Sequence, residues 1–213
     1  MTGIGAHDTR TPSQEDHFMK NIRAMLAIGL LSAVAGSMTV AQASQDAPKP
    51  ATSPADTSGL HDFDFLVGEW RVHHRRLKQR LAGSHEWVEF EGTCGNRPLM
   101  AGWGNVDENA IDLPGDAYHG VGLRSYDPKS GLWSIWWLDG RSPSADLDPP
   151  VRGRFEHGVG TFYADDTLNG KPIRVRFQWS KITPTSAHWE QAYSPDAGKT
   201  WETNWLMDFQ RSS

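Results

Sequence analysis

Cysteine is almost absent: Cys94 is the only one in 213 residues. No internal disulfide can staple the chain, so an apolar core must hold it. Basic runs are lacking beyond Arg75-Arg76 and the net charge is −5, which excludes the electrostatic footprint of a nucleic-acid binder. No Gly-x-Ser-x-Gly occurs, so the chain has no nucleophile elbow. A phosphate-binding loop is lacking too. Gly198-Lys199-Thr200 imitates its end, but the required first glycine is Tyr193, and the residues that follow alternate as a strand does instead of opening a helix. Histidines never fall at ligand spacing. His73 and His74 are adjacent and face opposite sides of a strand, and the others are scattered, so neither a metal site nor a cofactor is expected.

What is present divides the chain. Residues 1–18 are polar and read as a non-native extension ahead of a start at Met19. Residues 19–43 have a short basic start, an apolar run from Ala24 to Val40 and an Ala41-Gln42-Ala43 cleavage pattern, which predict a signal peptide. Removal of that run leaves no stable membrane span and puts the mature protein in the periplasm or outside the cell. Residues 44–59 are rich in Pro, Ala, Ser and Asp with no apolar period, the composition of a disordered linker. Residues 60–213 are then one folded domain, with a homodimer possible.

Helix signals are scarce after Glu69 and strand signals recur. Strands are expected over 69–81, 86–94, 98–106, 117–126, 132–139, 151–157, 160–164, 172–182, 187–193 and 201–210, joined by short turns. Ten tryptophans are many for one small domain. Several alternate with polar residues, as in Trp133, Ile135, Trp137 and in Ile173, Val175, Phe177, Trp179. About ten such strands without helical crossovers predict an all-β, antiparallel, up-and-down barrel.

The opening FDFLVGEW, with Gly68-x-Trp70 leading the first strand, resembles the start of lipocalin-like (calycin) barrels. Together with YSPDAGKTWETNW it resembles an uncharacterised bacterial family of secreted domains with such a barrel, over about residues 61–211. The resemblance implies that Trp70 points into the closed end and that an arginine of the last strand packs across it. Counting by twos puts Arg211 on the required face, with Trp205, Met207 and Phe209. Ser194 to Trp201 also matches a single Asp-box of sialidase-type propellers. Propellers repeat that motif and this chain does not, so the stretch reads as a hairpin turn.

The same parity gives an interior wall of Phe90, Trp133, Trp137, Phe177, Trp179, Trp189, Tyr193 and Trp205, with His74, Arg76, Asp139 and Gln191 as polar members. A filled core and a ligand pocket both fit such a wall. The leading expectation is a binder of a small apolar or amphipathic molecule, with Arg76 facing an acidic group. The alternative is a lumen enzyme, an isomerase, cyclase or hydrolase, with His74 as general base oriented by Asp139. A third reading is a packed barrel acting through its outer surface. Nitrobindins, which are calycin-like, hold haem through a histidine of a late strand. His188 stands on such a strand here, but the inward Trp189 puts it outside. Asp165-Asp166 and Glu89/Glu91 read as solvated carboxylates.

Overall fold

Alternation of apolar and polar side chains lets each strand bury one face, and a sheet with one apolar face hides it by closing on itself. The computed structural model describes residues 56–212 and shows this closure. The strands are β1 (Gly68–Leu77), β2 (Trp87–Leu99), β3 (Gly104–Ile111), β4 (Tyr118–Asp127), β5 (Leu132–Asp139), β6 (Val151–Glu156), β7 (Val159–Leu168), β8 (Lys171–Ser180), β9 (Ser186–Ser194) and β10 (Glu202–Arg211). Each pairs antiparallel with its sequence neighbours, and β1 pairs with β10 to close the barrel. The expected ten-strand up-and-down barrel is what forms.

The register expected at β3 needs correction. The reading ended one strand at Cys94 and began another at Pro98, whereas β2 runs unbroken to Leu99 and β3 starts at Gly104. Between them Met100, Ala101 and Gly102 turn the chain with φ of 50°, 53° and 95°. Met and Ala are not turn-forming residues, so composition carries no warning of this corner.

One end of the barrel is sealed by chain that precedes β1. A short 3-10 turn, Asp64–Leu66, carries Phe63 and Leu66 into the interior. Phe63 meets Trp133 and Phe155 edge-on, each at 5.0 Å, and stacks on Phe162 at 5.7 Å. Trp70 donates its indole N–H to the Leu66 carbonyl at 2.7 Å. Arg211 lies opposite Trp70 across the β1–β10 pair, with its guanidinium 4.0 Å from the ring centre. The same guanidinium donates to the carbonyls of Phe65 and Val67, so it ties the plug to the last strand. Residues 56–59, read from composition as the end of the linker, lie against the barrel. Trp133 donates to the Gly59 carbonyl at 2.9 Å, and Asp56 N–H to that of Pro128 at 3.0 Å. The expected extension and signal peptide, and residues 44–55 of the linker, lie outside the described residues.

Candidate functional site

Above the plug the barrel is not filled. A cavity of about 850 Å³ runs from the packed floor towards the strand ends at the β5–β6 connection. Floor and cavity divide the aromatic wall between them. Trp133 is packed against the plug and Phe90 sits in a separate cluster with Ile111 and Tyr118, while Phe177, Trp179, Trp189, Tyr193 and Trp205 line the cavity.

The cavity has two unlike walls. Strands β5 to β10 supply a largely apolar one, with Ile135, Val175, Phe177, Trp179, Trp189 and Phe209 and only Gln191 and the rim aspartates Asp139, Asp165 and Asp166 as polar members. Strands β2 to β4 supply Cys94, Asp107, Asn109, Gly122 and Arg124. Arg124 and Asp107 form an ion pair whose side chains are 8% and 3% exposed. Arg124 Nη1 also donates to Asn105 Oδ1 at 3.1 Å, and Asp107 Oδ1 accepts from Asn109 Nδ2 at 2.7 Å and Gly122 N–H at 3.0 Å. Burial of the pair is offset by its own attraction and, on the Asp107 side, by hydrogen bonds from β3 and β4.

Sequence reasoning missed this polar wall. Asn105, Asp107 and Asn109 alternate in β3 and so imitate a solvent face, and the misplaced strand boundary hid their parity. One signal pointed to them. Arg124 shares its face of β4 with Tyr118, Gly120, Gly122 and Tyr126, which reads as an interior side with room beside it.

Of the residues singled out beforehand, Arg76, Trp137, Asp139, Trp179, Trp189, Gln191 and Trp205 line the cavity. Arg76 holds its guanidinium 4.8 Å above the Trp205 ring. Trp137 is 36% exposed at the rim, where its ring lies over Gly120, whose Cα carries nothing to obstruct it. Gln191 donates to Asn204 Oδ1 at 2.9 Å. Asn204 is buried because the β9–β10 register shifts between Thr203 and Trp205. Trp70 and Arg211 belong to the floor.

His74 is the exception. It is buried on the inner side of β1 but behind the cavity wall, stacked on Phe90 at 4.8 Å with its Nδ1 accepting the Trp205 indole N–H at 3.2 Å. Burial, with His73 and Arg76 nearby, pushes its pKa down to about 3. Asp139 does not orient it. That carboxylate is clamped by Arg141, through Nε at 3.0 Å and Nη2 at 2.7 Å, which also lower its pKa against the effect of burial. The His74–Asp139 acid–base pair is therefore not assembled. His188 hydrogen-bonds Asp208 at 2.6 Å and is not among the lining residues.

Charge around the cavity is balanced. Arg76, Lys78, Arg80, Arg124 and Arg141 are matched by five aspartates. One of these, Asp148 on the β5–β6 connection, has its pKa raised to about 6 by burial and by Asp166.

No protein-family model matches the chain and no curated protein is similar to it in sequence, so the family resemblance rests on the opening and hairpin motifs alone. Among solved structures, the S-type phycobiliprotein lyase CPES of Guillardia theta is similar at 12% identity, covering 71% of this chain and 90% of its own, with a TM-score of 0.49. A redesigned beta barrel is similar at 10% identity, covering 72% and 96%, with a TM-score of 0.40. EF1p2_mFAP2b, solved bound to DFHBI, is similar at 13% identity, covering 72% and 99%, with a TM-score of 0.36.

Proposed function

We propose that the domain binds a small amphipathic molecule in the barrel lumen, without covalent chemistry, and that it does so in the periplasm or outside the cell after loss of residues 19–43. The observation that carries the binding reading is the pairing of an aromatic wall with a hydrogen-bonded polar one around a single cavity. Its volume is in the range of small-molecule pockets, about 300–1,000 Å³. Removal of apolar ligand surface from water drives such binding, and the few fixed polar groups orient the ligand.

The enzyme reading loses its support with His74, which is walled off and a poor base at neutral pH. The location rests on the N-terminal pattern alone.

The test is titration with N-phenyl-1-naphthylamine, a neutral dye that brightens in apolar sites. Saturable brightening, with energy transfer from the lumen tryptophans, is expected. No saturable brightening at micromolar dye, together with no small molecule carried through purification in native mass spectra, sinks the reading. Export is tested separately by cell fractionation of the chain with and without residues 19–43.

A further inference from the structure

Given that lumen-binding reading, we infer that the buried end of the ligand is an uncharged carbonyl group docked on Arg124. Arg124 reaches the deep end of the cavity, with its guanidinium 5.2 Å from the Phe63 ring of the plug. All of its hydrogen bonds run through Nη1, to Asn105 and Asp107. Nε is fully buried, whereas Nη2 makes no hydrogen bond among the described residues and keeps accessible surface. Nη2–H is therefore the donor that an oxygen acceptor in the lumen can reach. A donor in so poorly solvated a place favours an occupant that accepts.

The charge of the occupant follows from Asp107. That carboxylate already neutralises Arg124, and its own oxygens are engaged by Arg124, Asn109 and Gly122. A ligand carboxylate on the same guanidinium would set two anions on one buried cation, leaving net charge in a poorly solvated place. An ammonium group is repelled by the Arg124 guanidinium beside Asp107, whose carboxylate already accepts three hydrogen bonds. A carbonyl oxygen of an amide, lactam or ketone accepts from Nη2–H and adds no charge, which suits a cavity whose lining charges cancel. The earlier expectation that Arg76 receives an acidic ligand gives way to a neutral ligand held from below.

A matched series decides the matter. The dye is displaced at pH 7.5 by octanamide, octan-1-ol, octanoate or octylammonium, which share one chain length and differ in the head group. Octanamide is expected to act at about tenfold lower concentration than either ion and at several-fold lower concentration than the alcohol. In Asp107→Asn the counter-charge is gone, and octanoate is expected to overtake octanamide. Should that variant fail to fold, Arg124→Gln/Asp107→Asn removes both charges and is expected to erase the preference of amide over alcohol. Dye binding with octanoate equal to or better than octanamide in the unmodified protein overturns the carbonyl assignment. So does an amide no better than the alcohol, the result expected if water satisfies Nη2. Absence of dye binding together with no small molecule carried through purification overturns the lumen reading itself, which keeps the two failures distinct.

Discussion

His73 and His74 are neighbours in the chain with opposite electrostatics, because strand parity sends one out and one in. Outside, His73 bonds Glu91 at 2.7 Å and faces Asp208 across the β1–β10 pair, and its pKa is raised, chiefly by the Glu91 bond. Its contribution is present below the ordinary value of 6.5 and fades as pH rises through the raised one. Inside, His74 stays neutral down to about pH 3 while the unfolded chain protonates near 6.5. Stability linked to His74 is therefore present above 6.5 and lost as pH falls from there towards 3. Urea midpoints measured from pH 7 to pH 4 should fall, and His74→Phe, which keeps the stack on Phe90, should flatten that decline. An equally steep decline in the variant would place the acid sensitivity elsewhere. Gly122 is a second residue-scale test. A Cβ there would clash with Asp107 Oδ1, so Gly122→Ala should displace the carboxylate that Gly122 N–H now holds. A loss of about 1–3 kcal/mol in denaturant unfolding is expected, as for overpacked sites.

At the scale of elements, the plug and the last hairpin stabilise opposite features of the barrel. The plug fills the floor: Phe63 is 1% exposed and ringed by aromatic side chains. Phe63→Ala should cost about 3–5 kcal/mol, as large-to-small changes at buried phenylalanines do. The hairpin from Ser194 to Trp201 fixes register instead. Asp196 accepts from Thr200 N–H at 2.8 Å and from its hydroxyl, and these bonds draw its pKa down to about 2. Gly198 supplies the positive φ of 94° that the turn needs, and Trp201 donates back to the Gly198 carbonyl. The lowered pKa makes the contribution of Asp196 present above its ordinary value of 3.8 and lost as pH falls through about 2. The stability gap between the unmodified protein and Asp196→Asn should accordingly narrow as pH is taken from 4 towards 2. The motif that looks like a nucleotide or sugar signature is an architectural turn.

For the molecule as a whole, floor and cavity divide stability from binding. Side chains below Arg124 interlock around Phe63, while those above it leave the lumen open. Trp137→Ala, at the exposed rim, should weaken dye binding several-fold and leave the urea midpoint nearly unchanged, and Phe63→Ala should act chiefly on the midpoint. A ligand at about one hundred times its Kd should raise unfolding free energy by about 2.7 kcal/mol. Equal loss of stability in both variants would contradict the division.

How much of this was legible depends on whether the information is local. Alternation of Trp133, Ile135 and Trp137, and the turn chemistry between strands, are properties of neighbouring residues, and they specify strands, their faces and a closed antiparallel barrel. The pairing of Trp70 with Arg211 could be reached by parity from the two ends of the chain. The polar wall could not, because Asn105, Asp107 and Asn109 carry the pattern of a solvated face, and only their burial beside Arg124 turns them inward. Nor could the exclusion of His74, whose parity is inward but whose ring lies behind Trp205 and Phe90. Sequence by itself determined the barrel and which side of most strands is buried. Tertiary structure decided which buried groups meet one another and which meet the cavity, since depth and charge pairing depend on residues far apart in the chain.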